Sequence, residues 1–184
     1  MINNADFSKK SLPETEYDSC TFSNCDFSES DLSEIKFLDC KFTGCNLSNA
    51  RLINTVFTNV NFRNCKMLGL MFENCNEYGL SVEFEDSNLS HSSFYRTRLR
   101  KMTFRNLVLN NTDFTEADLT SSVFEKCDLT GALFENSVLE KADFRTSVNY
   151  SIDPEKNRIK NARFSLPGIA GLLDKYDIEI DNLI

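Results

Sequence analysis

The chain has no tryptophan, one histidine, three prolines and six glycines in 184 residues. So few glycines leave no glycine-rich loop to cradle a phosphate. His91 is the sole imidazole and lacks an obvious Ser or Cys nucleophile companion, and no spacing brings an acid, a base and a nucleophile together in an identifiable pocket. No apolar run is long enough to span a bilayer. The first residues, Met1-Ile2-Asn3-Asn4-Ala5-Asp6-Phe7, lack a basic stretch followed by an apolar one, and the expected location is the cytoplasm. Cations are scarce too: 20 Lys and Arg against 28 Asp and Glu give a net charge of -8. That balance argues against direct contact with nucleic-acid phosphates and points to basic partners. What the chain does have is apolar content of 41%, enough for the core of one domain.

That apolar content is periodic. Stepping by five from Phe7 gives Leu12, Tyr17, Phe22, Phe27, Leu32, Phe37, Phe42, Leu47, Leu52, Phe57, Phe62, Met67 and Phe72. After a slip of two residues the frame resumes at Phe84 and runs to Phe144 with Phe and Leu in strict alternation. All 16 Phe, Phe164 included, occupy this central position. A period of five matches neither the 3.6 of a helix nor the 2.0 of a strand, so the chain must turn regularly. A small residue stands two places before the centre, as at Ala5, Ala50, Ser87, Ser92, Ala117, Ala132 and Ala142. Two inward positions in every five then fill a core.

Strings such as Ala117-Asp118-Leu119-Thr120-Ser121, Cys127-Asp128-Leu129-Thr130-Gly131 and Cys25-Asp26-Phe27-Ser28-Glu29 resemble the A(D/N)LXX signature of pentapeptide-repeat proteins. The resemblance runs through most of residues 5–149. It implies an all-β solenoid: a right-handed quadrilateral β-helix, four pentapeptides to a coil, with Phe or Leu stacked inside. Within 1–164, such a rod leaves no room for a cofactor, and none is expected.

Cys20, Cys25, Cys40, Cys45, Cys65, Cys75 and Cys127 all fall at the small inward position. With twenty residues to a coil, Cys25, Cys45 and Cys65 form one internal column and Cys20 and Cys40 another, at the ~4.8 Å spacing of adjacent strands. That proximity would suit a soft metal or a disulfide in principle. Without a companion histidine cluster they read as buried small hydrophobes, free thiols with no metal.

Two segments break the frame. Across 75–83 two residues are inserted, which reads as a bulge, a corner loop or a change of direction. The segment 150–158 reads as a loop, after which Ile159 and Phe164 return to frame and add a last wall. In 165–184, Ile169, Leu172, Leu173 and Tyr176 have the spacing of a short helix, and Asp177 to Asp181, with Ile178 and Ile180, alternate like a strand. A solenoid exposes its last coil, so a cap is expected here. The Qnr and MfpA group, which this chain resembles, instead uses such an element to dimerise end to end, which would make Ile169, Leu172, Leu173, Tyr176, Ile178 and Ile180 a homodimer interface.

Stacked coils turn a twenty-residue spacing into a ladder on one face. The column centred on Leu12, Leu32, Leu52, Phe72, Phe94, Phe114 and Phe134 presents Glu14, Asp31, Glu34, Glu73, Asp113, Glu116 and Glu135 against few cations, chiefly Lys10, Arg51 and Arg96. The column centred on Phe22, Phe42 and Phe62 mixes signs. An acidic face serves solubility or recognition. Resemblance to the Qnr and MfpA group implies recognition: a non-enzymatic mimic of duplex DNA that binds DNA gyrase or topoisomerase IV. The chain lacks the long internal insertions that many Qnr proteins carry, which favours modulation of the enzyme over strong quinolone protection. The alternative is an interaction scaffold or effector module with another partner.

Overall fold

The five-residue unit turns for local reasons. Two residues after the centre the backbone takes a left-handed φ, as at Lys9 (55°), Asn24 (52°), Glu34 (63°), Asn111 (54°) and Lys141 (61°). Asn is the non-glycine residue that tolerates this region best, and it recurs there at Asn49, Asn54, Asn64, Asn106, Asn136 and Asn161. The residue just before the centre, when Asp or Asn, accepts a hydrogen bond from the backbone N–H just after it. Ser28 donates to Asp26 at 2.8 Å, Ser90 to Asn88 at 2.9 Å and Thr115 to Asp113 at 2.8 Å. These Asx turns give the second place of the A(D/N)LXX signature its physical reason.

In the computed structural model, which describes residues 1–181, repetition of this unit builds a parallel β-solenoid with almost no helix. Pairing is in steps of twenty, as in Phe22 with Phe42 and Phe104 with Phe124, so four pentapeptides make one coil. Each wall is named here by one central residue. The Phe42 wall is built of strands Thr21–Ser23, Lys41–Thr43, part of Val56–Arg63, Leu80–Glu85, Thr103–Arg105 and Val123–Glu125. The Phe37 wall starts with strands Glu16–Asp18 and Lys36–Leu38. The Phe27 and Leu32 walls are stacked turns, in which Ser30 N–H donates to Phe27 O (3.1 Å) and Ala117 N–H to Phe114 O (3.0 Å).

The interior is the predicted one. Every Phe from Phe22 to Phe144 is buried, with Phe7 and Phe164 half-buried at the two ends of the stack. Rings stack along a wall, as Phe72 on Phe94 at 4.5 Å and 2°, and meet edge-on across the core, as Phe114 with Phe124 at 90°. The small inward residues also do hydrogen-bonding work. Thr55 donates its hydroxyl to Leu32 O (2.8 Å), Ser137 to Phe114 O (2.9 Å) and Ser147 to Phe124 O (2.7 Å), each reaching back 23 residues. Cysteine thiols make the same bond, so these buried groups are satisfied and the thiols are free.

At the frame slip the coil closes through two 3-10 turns, Phe72–Asn74 and Glu77–Gly79. Pairing shifts there from Phe57 with Leu80 to Val60 with Val82, and Phe84 then stacks on Phe62 at 5.6 Å. The extra residues are thus absorbed at one corner while the Phe42 wall runs on. The core plan changes at this level. Before it, aromatics fill neighbouring walls, as Phe37 beside Phe42 at 5.3 Å; after it, they fill opposite walls, with Leu99, Leu119 and Leu139 between. In step with this, the Phe37 wall changes from strands to turns.

In the segment 150–158, Tyr150 and Ile152 turn inward, and Asn157 takes the small inward place, accepting from Ser137 N–H at 2.9 Å and donating to Phe134 O at 2.8 Å. The last element differs from the sequence expectation. It is two 3-10 helices, Pro167–Leu172 and Asp174–Tyr176, and Asp177 to Asp181 forms no strand. Gly168 and Gly171 lie so close to Tyr150 that neither position has room for a side chain. Ile152 N–H donates to Gly171 O at 2.9 Å, and Lys175 pairs with Asp153 at 2.8 Å and Glu155 at 2.6 Å. These contacts latch the element onto the end of the rod, which an eight-residue amphipathic stripe alone would not achieve.

Candidate protein interface

The Leu32 wall gathers all seven predicted carboxylates, because each stands beside or two places beyond a central residue of that column. Glu14, Glu34, Glu116 and Glu135 are exposed, and Asp31, Glu73 and Asp113 are half-buried. Asp153 and Glu155 extend the wall, giving nine carboxylates against Lys10, Arg51, Arg96 and Lys156. Exposed apolar side chains interrupt the charge: Met71 and Leu133, both 53% accessible, and Ile53.

The carboxylates are not equivalent. Arg96 holds Glu116 bidentately, at 2.6 and 3.2 Å, and keeps the Glu116 carboxyl below its ordinary value. Lys156 reaches Glu135 at 3.0 Å, and Arg51 lies 3.9 Å from Asp31. Asp113 is occupied by its Asx turn, and Asp153 and Glu155 by Lys175. Among the described residues this leaves Glu14, Glu34, Glu73 and Asp113 without a cation within salt-bridge distance, and of these Asp113 accepts from its own turn. These pairs were not anticipated from the column, yet their signal was in the sequence: Arg51 and Arg96 stand twenty residues from Asp31 and Glu116, one coil away.

Glu73 is the exception in another way. Its Oε2 is buried without a hydrogen-bond partner, and the residue lines a pocket of about 330 Å³ that opens where the coil is interrupted. Nothing in the five-residue pattern marks this pocket, because it comes from the break in the pattern. The neighbouring Phe37 wall gathers cations in its later coils, Arg98, Arg100, Lys101, Lys141, Arg158 and Lys160, with Asp118 and Glu140 pairing two of them at 2.6 Å. The two walls give the rod a sideways charge separation.

Of the six residues predicted for a dimer interface, Ile169, Tyr176, Ile178 and Ile180 are exposed, together with Leu166 at 82% accessibility. Leu172 packs partly against the core and Leu173 is half-buried, so these two belong more to the cap than to an outward face. Among the described residues no group of His, Cys, Asp and Glu is arranged to hold a metal. No helix of the described residues is long and apolar enough to cross a membrane.

A family model for the pentapeptide repeat region matches residues 15–79 and 80–151. The chain belongs to the pentapeptide-repeat family. Among solved structures it is similar to a trypsin-treated variant of QnrB1, a plasmid-mediated fluoroquinolone resistance protein, with a TM-score of 0.70, 18% identity, and 97% of this chain and 99% of that one covered. Full-length QnrB1 gives a TM-score of 0.51 at 20% identity, covering 96% and 97%. At such identities the likeness is one of fold. No curated protein matches the chain by sequence.

Proposed function

We propose that this protein is a non-enzymatic DNA mimic that binds a type II topoisomerase, DNA gyrase or topoisomerase IV, through the Leu32 wall and modulates it. The observation that carries the reading is the nine-to-four excess of carboxylates over cations on that one wall. Coils repeat at about 4.8 Å, and six of the wall's eight coils carry a carboxylate, while those of Leu52 and Phe94 carry Arg51 and Arg96. Duplex DNA carries a phosphate every ~3.4 Å along each strand, and a basic groove shaped for that array would meet carboxylates at a comparable rhythm. The likeness of fold to a fluoroquinolone resistance protein supports looking among the targets of those drugs. A cytoplasmic location goes with this reading, as does a homodimer formed through the exposed apolar residues of the last element, Ile169, Tyr176, Ile178 and Ile180.

A second reading has its own support. Three of the wall's carboxylates are already neutralised across coils, and Met71, Ile53 and Leu133 are exposed among them. A scaffold for a basic protein that is not a topoisomerase would use the same mixed surface. Gyrase supercoiling in the presence of the protein separates the two: inhibition that Glu34→Lys relieves supports mimicry, and supercoiling unchanged at micromolar protein leaves the scaffold.

A further inference from the structure

Glu73 is the carboxylate of the acidic wall whose buried oxygen the fold leaves without a partner. It follows Phe72 on the 3-10 turn that opens the coil, beside the pocket of about 330 Å³. Phe72, Leu80 and Tyr95 supply the pocket's apolar sides, and Asn76 and Glu77, at the start of the Glu77–Gly79 turn, line it as well. Two cations reach the pocket but neither serves Glu73. Arg96 is committed to Glu116 and lies over the Tyr95 ring at 4.8 Å, and Arg98 pairs with Glu77 at 3.4 Å. A buried carboxylate oxygen without a partner is costly, and a basic group entering from outside would satisfy it.

We propose that this pocket is an anchor site for one lysine or arginine side chain of a protein partner, with Glu73 as the counter-ion. The aliphatic stem runs along Phe72, Leu80 and Tyr95 while the charged head meets the Glu73 carboxylate, which turns toward the pocket to receive it, the division of labour these long side chains favour. Tyr78, 94% exposed on the Glu77–Gly79 turn, stands ready to pack against the partner's backbone beside the anchor. The inference rests on the acidic wall being the binding face, and it identifies where on that wall a single contact would carry most of the affinity.

Nuclear magnetic resonance on the full chain tests it with N-acetyl-lysine methylamide and N-acetyl-arginine methylamide as probes, and N-acetyl-norleucine methylamide as the uncharged control. Saturable shifts are expected at Glu73, Asn76, Leu80 and Thr97, with Kd on the order of 1–10 mM for a single side chain. Glu73→Gln should weaken binding tenfold or more, and Glu29→Gln, which removes an exposed carboxylate outside the pocket lining, should leave it within about twofold. Equal binding of norleucine, an unaffected Glu73→Gln variant, or no shift at these residues would overturn the anchor. Because the probes are not gyrase, an anchor that binds beside a protein inert in supercoiling would dismiss the proposed partner and keep the pocket.

Discussion

The thiol of Cys65 lies 3.4 Å from the carbonyl oxygen of Phe42, 23 residues earlier, in the position where Ser147 addresses Phe124. Cysteine in this protein is thus one of several small residues able to fill the inward place and donate to a buried carbonyl. Cys65→Ser should therefore cost under about 1 kcal/mol, while Cys65→Val, which keeps the bulk and loses the donor, should cost about 1–3 kcal/mol. Urea unfolding of both variants checks this.

Burial pushes the Cys127 thiol up to about 11 and the Cys75 thiol up to about 12, the latter helped by the nearby Glu73 carboxylate. Neither is a thiolate at neutral pH, so a thiol reagent on the native protein should modify Cys20, which is half-buried, well before the six buried cysteines. The same burial sets an alkaline limit. An unfolded thiol loses its proton near pH 8.5–9 and the folded one near 11 or above, so their stabilisation is complete below about pH 8.5 and is lost as pH rises through 9 to 11. Each tenfold weakening of a thiol's acidity on folding corresponds to about 1.4 kcal/mol. Urea midpoints at pH 8 and pH 10.5 should show the fall, and Cys127→Ser should flatten it.

Phe114 is fully buried, stacked between Phe94 at 5.3 Å and Phe134 at 5.2 Å. Phe114→Ala should cost about 3–5 kcal/mol. A loss below about 1 kcal/mol in chemical denaturation would contradict the packing of the whole central column.

Gly131 has φ +68°, and a Cβ there would come within 2.5 Å of Asn111 Oδ1 one coil away. Gly131→Ala should cost about 1–2 kcal/mol from backbone conformation alone, more with the clash. Glu34, at φ 63° and exposed, reverses the case: Glu34→Gly relieves the backbone and should be neutral or stabilising in thermal melts.

If the last element joins two rods, Ile178→Asp should convert dimer to monomer in sedimentation at micromolar concentration without changing the melting temperature of the rod. Leu172→Asp would instead disturb the cap, because Leu172 leans on the core.

The rod was legible in the sequence because its determinants are local. The central Phe and Leu, the small inward residue and the Asp or Asn before the centre each act within one pentapeptide, and every one repeats. The acidic column was legible because stacking in steps of twenty carries sequence spacing directly onto a surface. What escaped lies where the repeat stops. The two-residue insertion yields a pocket beside Glu73 that depends on how the Phe72–Asn74 and Glu77–Gly79 turns close the coil. The spacing of Ile169, Leu172, Leu173 and Tyr176 suggested one helix, but contacts with Tyr150, Ile152 and Asp153 bend the segment into two 3-10 turns. Tertiary contact overrode a short local pattern there.

Supercoiling of relaxed plasmid by DNA gyrase, titrated with this protein and with its Glu34→Lys and Glu14→Lys variants, tests the central claim most directly. Both side chains are exposed and lack a cation within salt-bridge distance, so reversal changes the wall and not the fold. DNA mimicry by the Leu32 wall predicts inhibition by the native protein at micromolar concentration and its loss, by tenfold or more, in the double variant. Supercoiling that proceeds unchanged with the native protein, or inhibition that survives reversal of both charges, would contradict it.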